Sequence, residues 1–452
     1  MFFHLNIPKI RTTVTYKEIL SLSLPIIAGS AIENITTLTN TIFLGRVGPI
    51  ALGAAAIGGI FYLALVMVGF GFGIGTQIVV ARRFGEKNLK EIGNTLHHAA
   101  VFMIPVALFF FVIVFFFGDK FFHSFLKSES IYSGVVQYMQ FRIWGIFVAF
   151  INILFRAFYI GILKTRVIGM ASLIIALTNV IFDFSLIFGN LGLPKMGIAG
   201  AGLASVIAEC AGTMFFIIYT SSRKDISHFN ITRFSKIKFG VLTRIFKVAS
   251  PVMFQFSISF GGWFVFFMLV ERMGEVPLAV SNIIRTVYMI VLLPLWGFAS
   301  ATNTLVSYKL GSSQIKEIVP LVKKIILLTI ICTGSLVLIV NLFSKSFFYL
   351  YTNDELLVTA CYPVLIVVSF SSVLVSLAVI LFNTVSGAGK TMVTLLTEFV
   401  VITIYVSWTY FLVHSGTGSI AWVWTAEVFY GLAMGSLSAL YLKFGKWQIA
   451  KV

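Results

Sequence analysis

Apolar residues come in runs of about 20 along the whole chain, separated by short polar stretches. A helix of that length crosses the hydrocarbon core of a bilayer. Twelve such runs predict twelve transmembrane helices, at about residues 19–43, 51–77, 93–117, 133–158, 167–188, 196–220, 245–270, 276–306, 320–343, 357–383, 391–412 and 418–442. The longest polar stretch, 221–244, divides them six and six. The expected fold is an all-α integral membrane protein of two pseudo-symmetric six-helix bundles. These are an N-terminal bundle at 1–220, a linker at 221–244 and a C-terminal bundle at 245–452.

Polar residues interrupt two of these runs in a telling way. Asn179 and Asp183 lie four apart, on one face of the fifth helix. A break follows at Gly189–Gly197, with Pro194 in it, and then a small-residue helix carries Ser205 and Glu209 one turn apart. An acid at mid-span costs roughly 2.5–3.5 kcal/mol on insertion scales, and such groups usually mark ion or proton pathways. The alternative is a structural clamp that hydrogen-bonds neighbouring helices.

Composition adds the class of surroundings. The chain is 59% hydrophobic and 11% charged, far from a soluble average. Its net charge of +17 resides in short loops, so the membrane surface explains it and nucleic acid does not. Of 33 basic residues, 24 fall in inner loops and 6 in outer loops when the N-terminus is inside; Arg142, Arg156 and Arg285 make up the rest, within or near spans. That asymmetry predicts a multi-pass protein of the cell inner membrane with both termini cytoplasmic. Arg142, near a span end, is expected to snorkel to the interface, whereas Arg285 is an ion-pair candidate. The first 18 residues are mixed and basic, and the first span contains Glu33, so that span is expected to stay in the mature protein.

Other features read as structural. Cys210, Cys332 and Cys361 lie in apolar stretches without pairing or metal spacing. The glycines at 69–75 follow no strand and precede no Lys-Ser/Thr, so they signify close helix packing rather than a phosphate loop. His97 and His98 are expected as solvated interface residues, and Pro105, Pro294 and Pro363 as kinks.

The halves repeat. Shifting the first by 226 residues needs no gap from Pro25 to Glu129. Pro25 meets Pro251, Arg46 and Gly48 meet Arg272 and Gly274, Thr76 meets Thr302, and Lys90-Glu91-Ile92 meets Lys316-Glu317-Ile318. Six spans per repeat give both copies the same orientation, a parallel repeat about an axis along the membrane normal.

In order, Leu24-Pro25, the run from Asn40 to Gly48, Gly71-Phe-Gly73, Gly75-Thr76, Asn179-x-x-x-Asp183 and the run from Gly197 to Ser205 resemble the multidrug and toxic compound extrusion family over essentially the whole chain. In the second half Gly297-Phe-Ala, Ala301-Thr302 and Gly311 recur. The resemblance implies a secondary antiporter that exports small organic, often cationic, drugs or metabolites in exchange for inward Na⁺ or H⁺. It implies rocker-switch alternating access, with cargo held between the bundles, and no cofactor beyond the coupling ion. By the same resemblance Asn40, Asn179, Asp183 and Ser205 form a cation site in the N-terminal bundle, with Asp183 and Asn179 as ligands if the ion is Na⁺. The family commonly has Asp where this chain has Asn40, and Gln where it has Glu33 and Glu209, so those two acids join the candidates. Some relatives carry Glu at the position of Ser259; here the C-terminal bundle offers Glu398 and Glu427 instead.

Phe147, Phe150, Phe254, Phe256 and Trp263 are candidate linings of a cavity for flat cations, by cation–π contact. The expected partners are small organic substrates and the lipid bilayer, the expected state a monomer. A flippase for a lipid-linked sugar is the alternative transporter. An intramembrane enzyme would need paired catalytic groups at one depth, and the sequence shows none.

Overall fold

The computed structural model describes residues 14–231, 236–416 and 419–448. Among them every regular element is a helix. Ten helices are long and apolar enough to cross a membrane, and two bent pairs bring the spans to twelve. The chain divides into two compact units, each described by itself.

The first unit runs from Leu24 to Met253 in its described part. It comprises α1 (Tyr16–Val47) beyond Ser23, α2 (Pro49–Gly85), α3 (Leu89–Phe125), α4 (Glu129–Arg142), α5 (Gly145–Gly161), α6 (Arg166–Phe188), α7 (Ile198–Ser222) and the start of α8 (Phe239–Glu271). The second unit takes the first turns of α1 and the rest of α8. To these it adds α9 (Glu275–Val291), α10 (Leu293–Gly311), α11 (Ile318–Leu342), α12 (Ser344–Tyr349), α13 (Glu355–Gly387), α14 (Thr391–His414), α15 (Ile420–Val423) and α16 (Ala426–Phe444). The division therefore falls beside Pro25 and Pro251 inside two long helices, not in the polar stretch 221–244. That stretch is also less of a tether than its polarity suggests. Ile226 and Phe229 are buried, Phe229 packs on Phe84 and Phe158, and α8 already begins at Phe239.

The fourth and eighth spans, expected as single helices, are broken. α4 and α5 meet at 54°, and α9 and α10 at 46°. Pro294 opens α10, where its missing N–H costs nothing and its ring forbids continuation of α9. Pro25, Pro105, Pro251 and Pro363 lie inside helices that run on through them. Most of the helices extend a turn or so beyond the sequence boundaries, because hydropathy marks the hydrocarbon and hydrogen bonding continues past it.

Packing in the first unit depends on small residues. A Cβ at Gly73 would lie 2.4 Å from Ile153, and one at Gly75 would lie 2.4 Å from the Ala249 backbone, so α2 can approach α5 and α8 only through glycine. α6 stops at Gly189, which adopts φ 79, and the chain turns back so that Met196 N–H bonds to Leu186 O at 2.7 Å. α7 then packs tightly: a Cβ at Gly200 would meet the Leu186 carbonyl at 2.7 Å and one at Gly202 the Tyr138 carbonyl at 2.5 Å. This hairpin fixes the depth of Asn179 and Asp183. Outside, α3 exposes Phe109, Phe115, Phe116 and Phe117, an apolar surface that only a bilayer satisfies.

His98 is a correction. It is buried, not solvated: Nδ1 lies 2.8 Å from Asn94 O, and Nε2 accepts the Lys238 N–H at 2.8 Å. The ring thereby ties the chain ahead of α8 to α3.

Candidate ion-coupling site

Asp183 sits inside α6 with 0% exposure. Asn179 lies one turn earlier on the same face and is also buried. Asn40 approaches from α1. Its amide orientation follows from hydrogen bonding: with the nitrogen toward Asp183 it donates to Asp183 Oδ2 at 2.5 Å, to Asn179 Oδ1 at 3.0 Å and to Thr36 O at 3.1 Å. The structure thus brings together three of the six sequence candidates. Two buried atoms in the group have no hydrogen-bond partner among the described residues, Asp183 Oδ1 and Asn179 Nδ2. A carboxylate taken from water and left without a counter-charge is costly, so it needs a proton, a bound cation or an ion-pair partner. Among the described residues no basic side chain forms an ion pair with it.

The other candidates make no hydrogen bond to this group among the described residues and have other partners. Ser205 donates to Ala201 O of its own helix at 3.0 Å. Glu33 pairs with Arg156 at 2.5 Å and accepts from Ser172 at 3.2 Å. Glu209 holds Arg142 through two bonds, 3.1 Å from Nη1 and 2.6 Å from Nη2. Arg142 therefore does not snorkel. It is buried, with its guanidinium 3.7 Å from the centre of the Tyr62 ring. A Cβ at Gly145 would fall 2.4 Å from Arg142 Nη1 and 2.8 Å from Glu209 Oε2, so a glycine there lets the pair close at the α4–α5 break. Asn152 supports it, donating to Glu209 O at 3.0 Å and accepting from Thr213 at 2.8 Å. Sequence reading missed Tyr62 and Asn152; the four-residue spacing of Tyr138 and Arg142 on α4 was the only local hint of a buried polar face.

The aromatic candidates divide. Phe150 is fully buried and packs against Gly69, and Phe147 lies against the same core, with its ring 5.3 Å from Phe111. Phe150 is therefore core rather than cavity lining, because α2 has glycine where the ring needs room. In the second unit Phe254 is exposed, Phe256 is half-buried and Trp263 stacks on Tyr288 at 6.2 Å. Arg285 is exposed, with its guanidinium 5.1 Å from the Phe267 ring, and has no carboxylate partner among the described residues.

At the loop end of the first unit, Lys164 forms an ion pair with Asp225. Burial raises the Asp225 carboxyl; the hydrogen bond and charge of Lys164 outweigh it and hold the group below its ordinary value.

Two six-span repeats, the first enclosing an uncompensated mid-span acid, define a multi-pass membrane transporter of duplicated helical bundles. The chain belongs to the MatE family, whose model matches it twice, over residues 25–185 and 251–411. Both ends of the two matches differ by 226 residues (251 less 25, 411 less 185), the shift of the internal repeat. The chain is 24% identical over 344 residues to the probable multidrug resistance protein NorM of Photorhabdus laumondii, covering 75% of this chain and 74% of that one. It is 20% identical over 370 residues to the probable multidrug resistance protein YoeA of Bacillus subtilis, covering 81% and 80%. Its fold superposes on the outward-facing conformation of a multidrug resistance MATE family transporter of the MOP superfamily, with TM-score 0.88, 18% identity and coverage of 96% and 97%. A MOP superfamily transporter from Pyrococcus furiosus superposes with TM-score 0.85, 18% identity and coverage of 95% of each chain.

Proposed function

We propose that the chain is a secondary antiporter that exports small organic compounds, cations among them, across the cell inner membrane in exchange for an inward Na⁺ or H⁺. The observation that carries this reading is Asp183, fully buried at mid-span with one oxygen held by Asn40 and the other without a partner. Such a group is stable only with a bound cation or proton, and that requirement couples its occupancy to which side it faces. The relatives named as multidrug resistance proteins support export of small organic molecules. The two repeats move against each other as a rocker switch, both termini are cytoplasmic, and the working unit is a monomer.

Na⁺ is the first reading of the ion. Asp183 supplies charge, and the amide oxygens of Asn40 and Asn179 supply neutral ligands once the amides turn. The proton is the second reading, and a specific observation favours it: Ser205 spends its hydroxyl on Ala201, and Asn40 presents nitrogen to Asp183. Dye efflux from proteoliposomes at equal pH on both sides decides between them. An inward Na⁺ gradient is expected to drive it. Transport that ignores Na⁺ and follows a pH gradient alone reverses the ion, and transport driven by neither overturns the antiporter.

A further inference from the structure

The second unit buries two acids of its own. Glu398 lies within α14 and Glu427 in the first turn of α16, with 1% and 3% exposure. In the first unit Glu33 and Glu209 are matched by Arg156 and Arg142; Glu398 and Glu427 have no basic partner among the described residues. Arg285, three residues before Tyr288 on α9, lies over Phe267 instead. Only hydroxyls face the two carboxyls. Tyr288 from α9 donates to Glu427 Oε2 at 2.8 Å, and Tyr405 from α14 donates to Oε1 at 3.1 Å. Tyr430 from α16 donates to Glu398 Oε1 at 3.3 Å. The Tyr405 and Tyr430 rings, 6.0 Å apart, join the two halves of the network.

The acids are bonded differently. Both oxygens of Glu427 accept a tyrosine hydroxyl, which suits a carboxylate. Glu398 is bonded through Oε1 only; among the described residues Oε2 has no partner. Ser259 adds a hydrogen count. Its Oγ lies 2.5 Å from Glu398 Oε1 and 3.0 Å from Gln255 O, within reach of two acceptors with one hydrogen to give. When that hydrogen goes to the helix carbonyl, the short contact requires a hydrogen on the carboxyl. A second unsatisfied acceptor stands one turn away on the same face of α8: Gln255 Oε1 is buried without a donor.

We propose that Glu398 is a proton-binding site of the second unit, closed by Ser259 and Tyr430 and backed by Glu427 in its tyrosine cage. A proton fits better than a metal ion, because the cage turns O–H donors toward the acids and no group of three metal-ligating side chains converges among the described residues. What the proton does in transport rests on the antiporter reading; that Glu398 binds it does not.

Infrared spectroscopy of the purified full-length protein tests this without transport. At neutral pH the wild type is expected to show a protonated-carboxyl stretch that disappears in Glu398→Gln and persists in Asp183→Asn. Tyr430→Phe, which removes one bond to Oε1, is expected to shift the band without abolishing it. A Glu398→Gln spectrum unchanged from wild type, or a band indifferent to Tyr430→Phe, overturns the proposal. Loss of the band on adding Na⁺ at fixed pH marks a cation site and overturns it too. Failure of the antiporter reading shows separately, as dye efflux insensitive to both gradients in wild-type vesicles.

Discussion

Arg142 and Glu209 meet through two parallel hydrogen bonds, although 67 residues separate them in the chain. The pair joins the α4–α5 break to α7, with the guanidinium buried and the carboxylate half-buried. Removing one partner of a buried pair leaves an uncompensated charge, which costs about 3–5 kcal/mol, whereas replacing both by apolar residues is often close to neutral. Glu209→Gln is therefore expected to lower thermal stability markedly, and Arg142→Met with Glu209→Met less than either single change. Melting of the purified proteins checks this. Additive losses in the double variant would mean that the two side chains do not depend on each other.

Glu33 is expected to act as an ion-pair partner and not as a substitute for the acid that relatives carry at position 40. It lies on Arg156 and Ser172, outside the Asn40–Asp183 group. Export by Glu33→Gln should not improve when Asn40→Asp is added. Partial rescue at equal membrane levels would restore the compensation reading.

The Lys164–Asp225 pair gives a pH dependence with a definite sign. The folded carboxyl lies below its ordinary value, so folding holds fewer protons than the unfolded chain between the two values. Its stabilisation is complete above the unfolded value, about 3.9, and disappears as pH falls through the folded one. Asp225→Asn should therefore melt below wild type at neutral pH and converge with it in strong acid. A gap that widens on acidification would contradict the assignment.

Topology follows from the loop charges. With 24 basic residues in the loops of one side and 6 in those of the other, residue 230 is expected to face the cytoplasm. Asn230→Cys, in a background without the native cysteines, should react with an impermeant thiol reagent only after the cells are opened. Efficient labelling of intact cells would invert the orientation.

The fold was legible because its signals are local or periodic. Apolar runs marked the spans, and Pro25 with Pro251 or Lys90 with Lys316 revealed a repeat that both family matches reproduce. Asp183 stood out as a charge where hydrocarbon was expected. What the sequence hid was pairing across distance. Arg142 reads as an interface residue until Glu209 is placed beside it, and His98 as solvated until Lys238 is. Tyr288 and Glu427 are 139 residues apart, and no spacing rule joins them. The α4–α5 break was equally silent, since Ile143-Trp144 continues an apolar run and the reason for Gly145 lies on α7.

The central claim is that Asp183 couples ion entry to export, and efflux by Asp183→Asn tests it most directly. The amide keeps the size and the Asn40 contact but can neither bind a proton as a carboxyl nor supply a charge to Na⁺. Measured as gradient-driven dye export from proteoliposomes, at equal protein levels and with unchanged elution of the purified protein, concentrative efflux is expected to be lost. Efflux above half of the wild-type rate would contradict the account and leave Asp183 as a hydrogen-bonding clamp between α6 and α1.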